Sequence, residues 1–172
     1  MKHLMVLTIL AISTSPLTIF SSRTEAKNPR NLTQVWALQP TCGQNKFDLF
    51  GSGHVEVNDP INGYRKVSND TTSTAIALFK QSDGNYLVGV NQTTTVSSES
   101  CFLSYRSGQW QDVSRQIIPN YSSKNYYEVA RRGTTVTVFG LVRVADLDDE
   151  IYDKGSRKGS LTWRNGKFMV DR

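Results

Sequence analysis

Short stretches rich in β-branched and aromatic residues recur along the chain, separated by turn residues, and runs with helical spacing are few. The clearest stretches are TAIALFKQ at residues 74–81, NYLVGVNQ at residues 85–92 and TTVTVFGLVRVA at residues 134–145. Val, Thr, Tyr and Phe fit a pleated, half-buried surface, so these stretches predict strands. We therefore expect an all-β-dominated fold, β with minor α, built as a single antiparallel sheet or sandwich domain.

Four glycine-containing turns separate these stretches, and each predicts a β-hairpin because its residues tolerate the positive φ angles of a tight turn. They are Asn62-Gly63, Asp83-Gly84, Ser107-Gly108 and Asn165-Gly166. Pro60 cannot donate a ladder hydrogen bond, so the first hairpin is expected at a sheet edge. Phe139-Gly140 marks a predicted bulge or bend inside the strand at residues 134–145.

Two of the turns belong to an internal repeat, LSYRSGQW at residues 103–110 and LTWRNGKF at residues 161–168. If each turn is a two-residue loop, Tyr105 lies opposite Trp110, and Trp163 lies opposite Phe168. Because side chains alternate along a strand, the Leu and both aromatic residues of each copy share one face. We predict hairpins over residues 103–112 and 161–170 with an apolar inner face and a wet outer face. A ligand platform made by the aromatic pairs is the alternative.

The Asp83-Gly84 hairpin is apolar on both faces, which predicts a central, covered position in the sheet. A two-residue loop would place Ala77, Phe79, Tyr86, Val88 and Val90 on one face, and Ile76, Leu78 and Leu87 on the other.

Helix signals are limited to two places. Residues 32–39 are ambiguous and end at Pro40, whereas Asp112-Val113-Ser114 predicts a short helical turn that Pro119 stops. Residues 122–133 are expected to form a loop or an extended connection, and residues 144–160 a polar loop.

The first 26 residues have the layout of a secretory signal peptide. Lys2 precedes the apolar run Leu4–Ile12, and the small residues Thr24 and Ala26, at positions −3 and −1, predict cleavage near Ala26. The run is shorter than the roughly 20 residues that a membrane span requires. We therefore predict a signal peptide at residues 1–26, a single β-rich domain at residues 27–172, no transmembrane anchor after cleavage, and a secreted or periplasmic location. An N-terminal buried helix is the alternative.

Cys42 and Cys101 are the two cysteines of the chain. In an exported protein, a single pair of cysteines predicts a disulfide bond. The bond would leave neither sulfur available as a nucleophile.

The positive charge of the chain lies in its second half. Residues 104–172 carry 12 basic and 8 acidic side chains, whereas residues 27–103 carry 6 of each. A positive face favours an anionic partner, such as an anionic envelope polymer, lipid headgroups or an acidic protein. A solvated surface that keeps the protein soluble is the alternative. Export and the lack of a nucleic-acid-binding motif indicate that nucleic acid is not a partner.

No motif in the sequence predicts catalysis, a metal site or a cofactor. After the leader the chain has one histidine, His54, with only Glu56 and Asp59 nearby as weak candidate metal ligands. An acidic group near residue 150 lacks the ligand spacing of a calcium loop; it consists of Asp146, Asp148, Asp149, Glu150 and Asp153. Four Asn-x-Ser/Thr sequences, at Asn31, Asn69, Asn91 and Asn120, fit the acceptor pattern for glycosylation in a eukaryotic secretory pathway.

The segment YYEVARRG at residues 126–133 is the candidate binding site, through Tyr126, Tyr127, Arg131 and Arg132. Tyrosine and arginine are enriched at interaction hot spots. A loop that leads into the strand at residues 134–139, with one tyrosine packed and both arginines solvated, is the alternative. The sequence therefore predicts an exported, non-enzymatic binding or interaction module that acts on another protein or on an anionic polymer. Two alternatives remain open at this stage: a secreted or periplasmic hydrolase without a readable motif, and a small β-barrel that carries a ligand.

Overall fold

The computed structural model describes residues 28–43, 53–95, 97–143 and 152–171, so the predicted leader lies outside the described residues. Two antiparallel sheets account for most of this part of the chain. The first sheet has six strands in chain order: β1 (His54–Asp59), β2 (Tyr64–Ser68), β3 (Thr72–Lys80), β4 (Tyr86–Thr94), β5 (Ser98–Arg106) and β6 (Gln109–Asp112). The second has four, β7 (Asn125–Val129), β8 (Thr135–Arg143), β9 (Tyr152–Arg164) and β10 (Lys167–Val170), in the order β10-β9-β8-β7.

Two short helices accompany the sheets, α1 (Leu32–Ala37) and α2 (Ser114–Ile117). Residues 32–37 become a helix because Asn31 caps its first turn, with its side-chain oxygen accepting a hydrogen bond from the amide of Gln34 at 2.9 Å. The predicted helical turn after Asp112 is also found. The Asp112 side chain accepts a hydrogen bond from the amide of Ser114 at 2.8 Å. The prediction of a β-dominated fold with minor helices is confirmed.

The two sheets pack face to face around an aromatic core. Phe79 and Phe102 of the six-stranded sheet contact Phe168 of the four-stranded sheet, with ring centroids 5.3 and 4.8 Å apart. The packing is so close that a Cβ atom added at Gly89 would lie 2.6 Å from a methyl group of Val129. These side chains fill the space that a ligand-carrying barrel would leave open.

A second core lies on the other face of the six-stranded sheet. Leu32, Val35 and Trp36 of α1 pack there against apolar residues of the strands. The Cys42–Cys101 disulfide is confirmed, with a Cα–Cα distance of 5.6 Å, and it fixes the segment after α1 to the sheet. The molecule is therefore layered as helix, six-stranded sheet and four-stranded sheet.

Both copies of the internal repeat form the predicted hairpins. Tyr105 pairs with Trp110, and Trp163 pairs with Phe168. The first central residue of each turn has the positive φ of a type I′ loop, 50° at both Ser107 and Asn165. The two copies face different cores: the first faces α1 and the second lies between the sheets. The predicted wet outer face is wrong for the first copy, because Ser104 on that face is buried against the inter-sheet core.

The Asp83-Gly84 hairpin is central as predicted, but the predicted register differs from the observed one by one residue. Lys80 pairs with Tyr86, and Gln81 bonds to Asn85, so the loop has three residues and ends at Gly84 with φ 81°. A shift of one residue moves every side chain of β4 to the opposite face. Leu87 therefore joins the inter-sheet core, and Val88 and Val90 pack under α1.

The remaining predictions divide by element. The Pro60 hairpin lies at the sheet edge, and β8 has register shifts at Phe139, as predicted. Residues 125–129 form a full strand, β7, where a loop or an extended connection was expected. The polar-loop prediction for residues 144–160 is wrong for residues 152–160, because they pair with β8 in the ladder. Residues 144–151 lie outside the described part of the chain.

Candidate functional site

The four predicted binding residues lie on β7 and on the turn that follows it. Tyr126 and Tyr127 are buried, with exposed fractions of 6% and 2%. Arg131 and Arg132 are exposed. The expected tyrosine surface is therefore not found, and only the two arginines stand open to solvent. The binding role of these residues stays a prediction.

Tyr127 points into the inter-sheet core. Its ring stacks on Tyr121, with centroids 5.6 Å apart and planes inclined by 13°. Its hydroxyl accepts a hydrogen bond from the amide of Ser122 at 3.0 Å. Through its ring and its hydroxyl group, Tyr127 therefore holds the loop that enters β7. Both parts of the side chain have a structural role.

Side chains of the six-stranded sheet form hydrogen bonds with the free edge of β7. We call this set of hydrogen bonds the side-chain seam. Asn91 donates to the carbonyl of Tyr127 at 2.8 Å and accepts from the amide of Val129 at 2.7 Å. Ser100 accepts from the amide of Tyr127 at 2.9 Å. Backbone groups that would otherwise be unpaired at a sheet edge are thus satisfied. Nothing in the local sequence of Asn91 or Ser100 indicated this role.

Beside the seam, an open groove of about 420 Å³ lies between the six-stranded sheet and β7. We call it the tyrosine groove, because Tyr64 and Tyr126 line it together with polar residues of both sheets. The other lining residues are Lys66, Ser73, Ala75, Asn91, Thr93, Glu128 and Val129. Of the four predicted binding residues, the groove includes Tyr126. The sequence did not predict Tyr64 and Thr93 as binding residues. The one feature of the sequence that could have pointed to Tyr64 is its position directly after the Asn62-Gly63 turn.

Burial raises the pKa values of the two phenol groups of the groove. It raises the pKa of Tyr126 to about 12, and a hydrogen bond with Thr93 offsets part of that rise. Burial also raises the pKa of Tyr64. A tyrosine hydroxyl is protonated at neutral pH even at its ordinary pKa of about 10, so both groups can act as hydrogen-bond donors as well as acceptors.

Ion pairs fix the charged side chains around the groove. Lys66 lies 2.6 Å from Glu56, and Lys154 lies 2.9 Å from Glu128. The hydrogen bond from Lys66 is the main cause that lowers the pKa of Glu56, with a further contribution from Ser68. The groove thus presents charges of both signs.

Arg131 is tied to the edge hairpin of the six-stranded sheet. Its Nε lies 2.9 Å from a carboxylate oxygen of Asp59, whose side chain is only 10% exposed. Hydrogen bonds from Asn62 and then from Arg131 lower the pKa of Asp59. Arg132 has no ion pair with a carboxylate of the described residues.

The described residues contain no group of three or more histidine, cysteine, aspartate or glutamate side chains that could hold a metal ion. His54 is exposed on the edge strand β1. Four of the acidic residues near position 150 lie outside the described part of the chain, and the fifth, Asp153, is exposed on β9. Within residues 28–43, 53–95, 97–143 and 152–171, no helix has the length and apolar character that crossing a membrane requires.

The geometry therefore offers a groove suited to binding, with buried neutral phenols and paired charges. Comparison of the chain with models of protein families, with curated proteins and with solved structures gives no match.

Proposed function

We propose that the protein is a non-enzymatic binding module that acts outside the cytoplasm and holds a protein partner at the tyrosine groove. Arg131 and Arg132, on the turn after β7, extend this surface. The observation that carries the proposal is the groove itself. Its volume of about 420 Å³ lies within the range of roughly 300–1,000 Å³ that is typical of ligand sites.

The residue types around the groove favour a protein partner. Arg131 and Arg132 are exposed on the turn after β7, and arginine is enriched at interaction hot spots. Lys66 and Glu128 give the groove one charge of each sign, which suits a polar segment better than an apolar ligand. We therefore expect an extended polar segment of the partner to lie in the groove.

The disulfide supports the part of the proposal that concerns location. Bonds of this kind form and persist in oxidising compartments and are rare where glutathione keeps thiols reduced. Cys42 and Cys101 are 4% and 3% exposed, so the bond is a buried structural link.

A hydrolase is the alternative class, and the groove gives it little support. Glu128 is the one carboxylate among the described residues that line the groove, and it is paired with Lys154 at 2.9 Å. Glycoside hydrolysis requires two carboxyl groups that flank the scissile bond. The lining residues described here do not supply such a pair.

The test is partner capture by the variant Arg131→Ala/Arg132→Ala. Extracellular or envelope extract of the source organism is passed over immobilised wild-type and variant protein. We expect the captured partner to be lost or reduced with the variant. Added salt should also weaken capture by the wild type, because exposed charges are screened beyond about 10 Å at 0.1 M salt.

The matched control is Arg164→Ala/Lys167→Ala, which removes two exposed cations from the β9–β10 turn. It should capture the same partner as the wild type. Thermal unfolding of both variants shows whether the fold is retained. Equal capture by the wild type and the Arg131/Arg132 variant would contradict the contribution of the arginines.

A further inference from the structure

A second groove lies at the opposite end of β7, between α2, the loop at residues 118–124 and β9. Its larger part, about 430 Å³, is lined by Arg115, Tyr121 and Lys124 together with Ser122 and Ser123. A smaller adjoining part, about 140 Å³, is lined by Asn125, Lys158 and Ser160 together with apolar side chains that include Val138, Leu161 and Val170. Asn120 lines both parts, and we call the two parts together the basic groove.

The charge of the basic groove is of one sign. Arg115, Lys124 and Lys158 line it, and none of the described lining residues is a carboxylate. None of these cations forms an ion pair with a described carboxylate, whereas Lys66, Arg131 and Lys154 elsewhere each do. Burial is the main cause that raises the pKa of Tyr121, and the nearby Asp112 carboxylate contributes to the rise. That carboxylate already accepts two hydrogen bonds from Ser114.

The aromatic side chain of the groove is held in place before any ligand arrives. Tyr121 is half-buried and stacks on the buried ring of Tyr127 at 5.6 Å. The guanidinium carbon of Arg115 lies 5.9 Å from the centre of the Tyr121 ring. On the other part of the groove, Lys158 donates to the side-chain oxygen of Asn125 at 2.8 Å. Such preorganisation reduces the entropy that binding must overcome.

We propose that the basic groove binds an anionic polysaccharide, with Arg115, Lys124 and Lys158 contacting its sulfate or carboxylate groups and Tyr121 packing against a sugar ring. Arginine and lysine are the side chains that recognise oxyanions. The hydroxyl groups of Ser122, Ser123 and Ser160 suit the hydroxyl groups of a sugar. Two adjoining parts suit a chain of sugars better than a single small anion. This inference does not depend on a partner at the tyrosine groove.

The experiment measures binding of a heparin-derived tetrasaccharide by calorimetry. The protein is produced in a bacterial periplasm, so that the disulfide can form and Asn120 carries no glycan. The variant Arg115→Ala/Lys124→Ala/Lys158→Ala should weaken binding about tenfold or more, equivalent to about 1.4 kcal/mol. All three side chains are exposed, so the variant is expected to fold, and its thermal unfolding verifies this.

The matched control is Arg106→Ala/Arg164→Ala/Lys167→Ala, which removes the same charge from three exposed positions on the two repeat hairpins. Its affinity for the tetrasaccharide should change less than about twofold, because these cations lie outside the groove. Tyr121→Leu keeps the net charge and should also weaken binding. Such a loss of affinity would come from the aromatic ring, because the net charge of this variant is unchanged.

Two results would overturn the proposal. One is an equal loss of affinity in the groove variant and the control variant, since binding would then follow net charge. The other is equally tight binding of a single-stranded oligonucleotide of the same charge, abolished by the same groove variant. The site would then be one for polyanions in general or for nucleic acid.

Discussion

Asn91 uses its side-chain amide in the way that a neighbouring strand uses its backbone. It supplies a donor to Tyr127 and an acceptor to Val129, and it is only 5% exposed. The amide carries its donor and its acceptor on separate atoms, so it bonds a carbonyl and an N–H group of β7 at once, whereas an ionised carboxylate offers acceptors alone. One side chain of the six-stranded sheet therefore pairs two backbone groups at the edge of the four-stranded sheet.

We predict that Asn91→Leu destabilises the protein by about 2–5 kcal/mol, because it leaves two buried backbone groups of β7 without partners, each costing about 1–3 kcal/mol. The free energy of unfolding, measured by urea denaturation, tests this. Asn58→Leu is the control: Asn58 is an exposed strand residue, where a change within about 0.5 kcal/mol is expected. Similar losses in the two variants would show that the seam contributes nothing specific.

For single residues of the predicted binding segment, the sequence indicated the exposure of the arginines correctly and that of the tyrosines wrongly. Arg131 and Arg132 are exposed, as charged residues usually are. Tyr126 and Tyr127 are adjacent on one strand and point to opposite faces, yet both are buried. Only the position of β7 against the other sheet decides this, and that position depends on contacts distant in sequence. The tyrosine groove could not be predicted for the same reason.

At the scale of elements, the hairpin turns decide how much can be predicted. Ser107-Gly108 and Asn165-Gly166 both form two-residue loops, so the register of each hairpin followed from the turn. Asp83-Gly84 has the same chemistry but sits in a three-residue loop. The local sequence predicts that a turn occurs there, while the packing of Leu87 on one face and Val88 on the other selects its length.

The twin hairpins should respond differently to the same truncation. Trp163 is buried between the sheets and donates to the carbonyl of Lys80 at 3.0 Å. Trp163→Ala is therefore expected to cost about 3–5 kcal/mol of unfolding free energy. Trp110 is half-buried, packs at the margin of the core under α1 and donates to Leu38 at 2.9 Å. Trp110→Ala should cost less.

Chemical denaturation of the two variants measures this difference. A larger loss at Trp110 than at Trp163 would mean that the helix side, and not the space between the sheets, is the main core. A loss below about 1 kcal/mol in both would contradict the burial of either ring in a core.

At the scale of the whole molecule, one covalent bond connects the helix layer of the fold to the six-stranded sheet. The Cys42–Cys101 disulfide joins the segment after α1 to β5, across a sequence separation of 59 residues. The amide of Cys42 also bonds to the side chain of Gln92 at 2.9 Å. The sequence predicted the bond from cysteine count and leader alone, whereas the layer that it holds in place was visible only in the structure.

We expect the variant Cys42→Ala/Cys101→Ala to lose about 4 kcal/mol of unfolding free energy, because the bond restricts a loop of about 60 residues in the unfolded chain. Denaturant titration of the variant and of reduced wild type measures the loss. The two should agree, since both lack the same crosslink. An unchanged midpoint in both would show that the unfolded chain is not restricted by this bond.

The side-chain seam also has a consequence for the order in which the protein can assemble during synthesis. Asn91 and Ser100 belong to β4 and β5, which leave the ribosome well before β7 does. The six-stranded sheet can therefore form first, but its face with Phe79 and Phe102 stays uncovered until Phe168 arrives. Exposed apolar surface of this kind promotes aggregation of incomplete chains. A nascent chain arrested before β7 should thus depend on chaperones, and the dependence should end only when the last hairpin has docked.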